Sequence, residues 1–123
     1  MSTETELYTL LTAHVGLMAL ISGASEGDLP QGATLPYVTF NRVSTPSVQA
    51  LGGGQSVLHS RPRFQFEAWG ASPADRDAVI VQLRAALCAS SWTVSFENQR
   101  NVRDAETGYW RAFLDAFIAH AGA

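Results

Sequence analysis

The chain has 123 residues, a formal net charge of −3, one cysteine and 46% apolar residues. This length fits a single domain, residues 1–123, with enough apolar content for its own core. No apolar run approaches the ~18 residues of a membrane helix, and the acidic start MSTETEL lacks the basic region of a secretory signal. The lone Cys88 cannot form an internal disulfide, which fits folding in a reducing compartment.

All eight basic residues are arginines. One interpretation is the codon usage of a GC-rich genome. Another is that arginine is retained for contacts, because its planar guanidinium suits bidentate pairing and stacking at interfaces. The excess of acids over arginines argues against a duplex-binding surface, which usually carries a basic patch.

The first half of the chain is predicted to contain one helix and one strand. Residues 4–21 have a helical apolar period and end at a Ser-Gly pair. Residues 22–36 are rich in turn residues and are predicted to be a loop. Residues 37–44 form a strand between two prolines. The helical stripe consists of Leu7, Leu10, Leu11, His14, Leu17, Met18 and Ile21.

Residues 45–59 contain three consecutive glycines and no clear period, which predicts a long flexible loop or an extended hairpin tip. A flexible tip without further role is one interpretation. The functional alternative is a loop that orders when a partner binds. The residues assigned to this candidate loop are Leu51, Gly52, Gly53, Gly54, Gln55, Val57 and Leu58.

The second half begins with an alternating strand over residues 62–70. A helix then starts at Ser72-Pro73, with serine as the cap and proline at the first helical position, and runs to about Ala89. Residues 92–97 and 109–119 alternate as two further strands around a turn at 101–108. The predicted buried stripe of this helix is Val79, Ile80, Leu83, Ala86 and Leu87.

The element order is therefore α-β-β-α-β-β. Strands joined by short turns favour an α+β fold, with an antiparallel four-stranded sheet, two helices packed on one face and a long glycine-rich loop. If the alternating apolar residues face the helices, the other side of the sheet mixes aromatic and charged side chains. We call that side the second face.

The second face is predicted to be a subunit or partner interface, because interfaces are enriched in aromatic residues and arginine. The alternative is that loops or the N-terminal segment cover it within one chain. The arginines are expected to pair with acids of this chain or of a neighbour. The candidate interface residues are Arg63, Glu67, Trp69, Tyr109, Arg111, Phe113, Asp115 and Phe117.

The sequence contains no recognisable catalytic, cofactor-binding or phosphate-binding motif. Its three histidines and Cys88 lack the spacing of metal ligands, so no metal or cofactor is expected. His14 lies in the helical stripe, which predicts a core or core-edge residue. Cys88 lies in an apolar setting near a helix end, which predicts a buried, inert thiol.

Several segments together resemble the small tail-completion or tail-terminator family of long-tailed phages and gene transfer agents. They are the helix ELYTLLTAHVGLMALI, the loop and strand DLPQGATLPYVTFNRVS, the strand RPRFQFEAWG and the helix SPADRDAVIVQLRAAL. The resemblance covers about residues 6–119. It implies a non-enzymatic virion protein that caps the tail tube as a hexameric ring, stops tube polymerisation and provides the head-to-tail joining surface.

The resemblance also implies the partners: further copies of this chain, a tail tube protein and a head-side connector or stopper, with DNA only passing through the lumen and no membrane contact. The expected location is the top of the virion tail, after synthesis in the bacterial cytoplasm. The alternative functions are a small protein-binding adaptor domain, or another head–tail connector or tube component.

Overall fold

The structure of the chain, a computed structural model, describes residues 3–44, 47–49, 57–60, 63–90 and 92–119. It contains three helices and seven strands within these residues. In chain order they are α1 (Thr3–Ala13), α2 (Val15–Met18), β1 (Ala24–Glu26), β2 (Tyr37–Ser44), β3 (Ser47–Gln49), β4 (Val57–Ser60), β5 (Arg63–Gly70), α3 (Pro73–Cys88), β6 (Thr93–Arg103) and β7 (Trp110–Ala119).

The main sheet has five strands in the order β1-β2-β5-β7-β6, and β1 runs parallel to β2. The prediction of four antiparallel strands was therefore wrong in strand number and in this one orientation. The three-residue strand β1 carries no alternating apolar pattern, so nothing in its sequence distinguishes it from a loop. Backbone bonds hold it in place: the amide of Val38 donates to Gly23, and that of Gly27 donates to Phe40.

The helix predicted over residues 4–21 is two helices separated at His14. Its backbone is extended there, with φ −81° and ψ 113°. The His14 side chain is half-buried, as expected at a core edge, and its Nδ1 accepts a hydrogen bond of 3.1 Å from the amide of Leu17. Histidine thus acts as the N-cap of α2. The apolar period hid this break because Leu7, Leu11 and Leu17 are all fully buried on either side of it.

Helix α3 agrees closely with its prediction. Ser72 Oγ accepts a hydrogen bond from the amide of Asp75, and Pro73 is the first helical residue. The predicted stripe is buried throughout. Cys88, however, is exposed, so the prediction of a buried thiol was wrong. The apolar neighbours suggested burial, but position 88 lies one step around the helix from Leu87, outside the stripe that faces the sheet.

The core lies between the helices and one face of the sheet. Strand β5 alternates strictly over its first residues, so that Phe64, Phe66 and Ala68 point into the core and are fully buried. Full burial of one phenylalanine or leucine stabilises a fold by roughly 1.5–3 kcal/mol. The close approach of α3 to β5 needs a glycine: a Cβ on Gly70 would lie 2.8 Å from the backbone nitrogen of Arg76.

The β6–β7 hairpin is longer than predicted. Strand β6 extends to Arg103 rather than ending near residue 97, and its register shifts by one residue between Phe96 and Asn98. Residues beyond this bulge are exposed on both sides and show no apolar alternation, which is why the sequence suggested a turn from 101 onwards. The turn itself spans 104–109 and is closed by the Gly108 amide, which donates to the Asp104 carbonyl at 2.8 Å.

Candidate interaction surface

The second face of the sheet is built mainly by β5 and β7, which pair in antiparallel register. Glu67 lies opposite Phe113, and Trp69 lies opposite Arg111. The alternation predicted from the sequence is therefore observed, and the candidate interface residues of these two strands share one face. Their exposure differs: Trp69 is 8% exposed and Asp115 is 6% exposed, while the other six are half-buried.

Arginines and aromatic rings alternate across this face. The guanidinium of Arg111 lies 4.5 Å from the ring centre of Trp69 and 4.5 Å from that of Phe113. On the other side of Phe113, Arg100 of β6 lies 4.9 Å from the ring centre. We call Arg100, Phe113, Arg111 and Trp69 the stacked row. Each contact of this kind contributes about 0.5–1 kcal/mol when exposed and more when water is excluded.

A cycle of polar contacts lies beside the stacked row. The indole nitrogen of Trp69 donates to Thr39 Oγ1 at 3.0 Å, and Thr39 donates to Glu67 Oε2 at 3.4 Å. The second carboxylate oxygen of Glu67 lies 3.5 Å from the Arg111 guanidinium. Burial raises the pKa of Glu67 above its usual range, although the charge of Arg111 acts in the opposite direction. The contact of the Arg111 guanidinium with the Trp69 ring closes the cycle.

A second ion pair joins the same two strands. Arg63 Nη2 lies 2.8 Å from Asp115 Oδ2, and the Asp115 side chain is only 8% exposed. Arg63 Nε and Asp115 Oδ1 are buried and have no hydrogen-bond partner among the described residues. The sequence predicted that the arginines pair with acids of this chain or of a neighbour, without assigning the pairs. The structure pairs Arg63 with Asp115 and Arg111 with Glu67, both within one chain. Arg61, also expected to pair with an acid, lies outside the described residues.

A cleft of about 340 Å³ opens at one end of the second face. The segment at residues 28–29 and the β6–β7 turn flank it, so loops of the chain itself approach the second face at this end. The hydroxyl of Thr107 donates to Asp104 and holds the pKa of that carboxyl below its usual range. The cleft is lined by Asp28, Leu29, Glu67, Trp69, Asp104, Thr107 and Arg111.

The glycine-rich segment is only partly placed. Strands β3 and β4 pair antiparallel, with Ser47 opposite Ser60 and Val48 opposite His59. This pairing matches an extended hairpin, one of the two forms predicted for residues 45–59. Within the candidate loop, Val57 and Leu58 belong to β4, whereas residues 51–55 lie outside the described part of the chain.

Sequence reasoning missed three members of this surface. Thr39 alternates with Val38 and Phe40 in a strand that was correctly placed, so its position on the second face could have been inferred. Arg100 lay beyond the strand predicted at residues 92–97, because β6 was predicted too short. Asp28 belongs to a loop, and no local pattern indicates that this loop approaches Trp69.

Neither a metal centre nor a membrane helix is present in the described ranges. No group of three or more histidine, cysteine, aspartate or glutamate side chains there has the arrangement of a metal site. None of the helices in the same ranges combines the length and apolar character needed to cross a bilayer. The second face carries stacked cations, aromatic rings and paired charges.

Both the family comparison and the comparison with solved structures give matches. A family model described as tail completion protein gp17 matches residues 5–120. A chain in the structure entitled "Virion of native gene transfer agent (GTA) particle" has a similar fold, with a TM-score of 0.72 and 19% sequence identity. The likeness covers 97% of this chain and 96% of that one and, at this identity, shows the fold alone. No curated protein matches the sequence.

Proposed function

Because this chain belongs to the tail completion protein gp17 family, and is therefore a structural protein of a phage tail, we propose that it caps the tail tube as a ring. In this role it stops tube polymerisation and presents the surface to which the head-side connector binds. The family match over residues 5–120 is the observation that carries the proposal. It spans nearly the whole chain.

The mechanism is steric and needs no catalysis. Six copies of the chain bind the last ring of the tube and cover the edges that the next tube ring would use. Each copy contacts its neighbour through different patches on its two sides, and such head-to-tail contacts close into a ring when the rotation per copy allows it.

The second face supports this role as a preorganised contact surface. The stacked row and the polar cycle hold their side chains in place before any partner arrives, which reduces the ordering cost of association. Trp69 and Asp115 stay beneath this surface, while half-buried Tyr109, Phe113 and Phe117 supply the aromatic area that a binding partner covers. Trp69 and Asp115 thus act by supporting the contact residues.

The charge and the hairpin fit the passage of DNA through a ring. A net charge of −3 per copy makes a lumen lined by acids weakly repulsive to DNA, which favours transit over binding. The hairpin β3–β4 and the glycine segment that joins its strands are assigned to contact with the tube or to the lumen wall. The tail tube protein and the head-side connector are the two partners that this arrangement requires.

Electron microscopy of particles from a strain with the gene deleted tests the proposal. Tails of irregular or excess length beside unjoined DNA-filled heads are the expected result, and expression of the intact chain in trans should restore joined particles. A Val81→Ser chain expressed in trans should restore joined particles as well as the intact chain does. Val81 is 62% exposed on α3, on the helix side of the sheet, so this control variant leaves the second face unchanged. Normal joined particles in the deletion strain would contradict the tail role and favour a protein-binding adaptor.

A further inference from the structure

The sheet has one long open edge. Strand β6 has 11 residues and pairs only with β7 among the described residues. No backbone hydrogen bond joins its outer side to another described segment. The strand is exposed from residue 97 to its end, so its unpaired amides and carbonyls face solvent over a long stretch. An edge of this kind is a template for pairing with another strand.

The opposite edge of the sheet is β1, and its direction matters. Strand β1 runs parallel to β2, and the three remaining pairings are antiparallel. Strands β1 and β6 of one copy therefore run in opposite directions. When a second copy stands beside the first in the same orientation, its β1 meets the first copy's β6 antiparallel. This is the more stable of the two strand arrangements.

The charges of the two edges are complementary. The segment that ends β1 carries Glu26 and Asp28, both exposed, and no basic residue. The far half of β6 carries Arg100 and Arg103. The charges and the bulge on β6 are features that keep edges from pairing with arbitrary strands. Pairing of β6 with an acidic strand edge is favoured, while pairing with another basic edge is disfavoured by charge repulsion.

We propose that β6 of one copy adds antiparallel to the β1 edge of the next copy, so that the sheets of neighbouring subunits form one continuous sheet. The occupant of the open edge is thus a second copy of this chain. The inference rests on the proposed function, because it supplies the head-to-tail contact by which the ring closes. It assigns that contact to the sheet edges, whereas the second face remains available to other partners.

Cysteine pairs across the two edges test this contact. In a Cys88→Ala background, Ser25→Cys on β1 is combined with Asn98→Cys or with Val102→Cys on β6, since all three positions lie on the second-face side of the sheet. A short bismaleimide is applied to purified protein at high concentration and to particles from cells that express the variants. The matched control combines Ser25→Cys with Val81→Cys on α3.

At least one of the two variants with cysteines on both β1 and β6 should give a ladder of covalent oligomers. The single-cysteine variants and the control variant should give no ladder. Adding Glu26→Arg should lower the ladder yield about tenfold, since like charges then face each other, and Glu26→Gln should lower it less. A dimer from the single Val102→Cys variant would show that β6 pairs with itself and would overturn the proposal.

The failure of this inference can be told apart from the failure of the proposed function. Normally joined particles that contain the variant chains but give no ladder would overturn the strand pairing and leave the tail role standing. Ladders from a purified chain that never enters particles would support the strand pairing and contradict the tail role. The absence of a ladder in both preparations would overturn the pairing outright.

Discussion

The guanidinium of Arg111 covers the indole ring of Trp69 at 4.5 Å, from the position directly opposite it in the β5–β7 register. This relationship explains why a tryptophan on the sheet face away from the helices is only 8% exposed. The planar guanidinium of Arg111 excludes water from the Trp69 ring, as a packed protein layer would, and it also contacts the carboxylate of Glu67.

Replacing Arg111 by alanine should destabilise the fold by about 1–3 kcal/mol, because Trp69 becomes exposed and Glu67 loses its partner. Lysine at this position should recover only part of the loss, since it keeps the charge but not the planar stack. Urea denaturation followed by tryptophan fluorescence measures both variants. Equal stability of the alanine variant and the parent would mean that the stack contributes nothing to the fold.

Glu67→Gln should change the pH dependence of stability. The folded-state pKa of Glu67 is raised above the ordinary value of 4.5, so the native state binds this proton more tightly than the unfolded chain. The parent therefore loses stability as pH rises through the raised pKa, and the Gln variant does not. The free energy of unfolding of the variant relative to the parent should increase with pH over this window, and a flat difference would contradict the assignment.

Arg63→Ala should cost about 1–3 kcal/mol, because it leaves the buried carboxylate of Asp115 without its ion-pair partner. The double variant Arg63→Ala/Asp115→Asn should be more stable than Arg63→Ala alone, since the isolated charge is then removed. Thermal unfolding of the parent, both single variants and the double variant measures the coupling. Additive effects would indicate that the pair is not energetically linked.

Gly70→Ala should destabilise the chain by about 1–3 kcal/mol, because the new methyl group would lie 2.8 Å from the backbone nitrogen of Arg76 and push α3 away from β5. Gly16→Ala is the matched control. The nearest atom to its added methyl group is the end of the flexible Gln82 side chain, which can turn away. Similar urea midpoints for the two variants would refute this difference in packing.

Phe117→Ser should impair particle joining while leaving the chain folded, if the half-buried aromatic residues of the second face are covered by a partner. Particle yield and tail length by electron microscopy measure the effect, and circular dichroism confirms folding. Val81→Ser, on the helix side, should leave both unchanged. Full joining by a folded Phe117→Ser protein would remove this residue from the contact surface.

The sequence predicted correctly those elements that short-range features determine, namely turn residues, helix caps and the spacing of apolar residues. The strand at residues 37–44, the cap at Ser72 and the buried stripe of α3 follow from turn residues, capping and apolar spacing. The helix break at His14 was not predictable by the same means, because the apolar period continues across it. Strand β1 was missed since only its partner β2, distant in sequence, makes it a strand.

For the candidate surface, too, local pattern predicted some features, while others depend on contacts between strands. Alternation correctly placed Glu67, Trp69 and Arg111 on one face, and composition suggested that this face makes contacts. Their exposure could not be predicted, because it depends on cross-strand stacking between β5, β6 and β7. The burial of Asp115 likewise results from Arg63, which pairs with it across 52 positions of sequence.

The order of strands has a consequence for the life of the newly made chain. The last strand in sequence, β7, lies between β5 and β6, and those two do not pair with each other. Until residues 110–119 have left the ribosome, β6 has no strand to pair with in the main sheet, and β5 can pair only with β2. A chain that lacks β7 cannot present β6 as the edge of its sheet. The pairing of β6 with β1 of another copy therefore requires that residues 110–119 have been synthesised and folded.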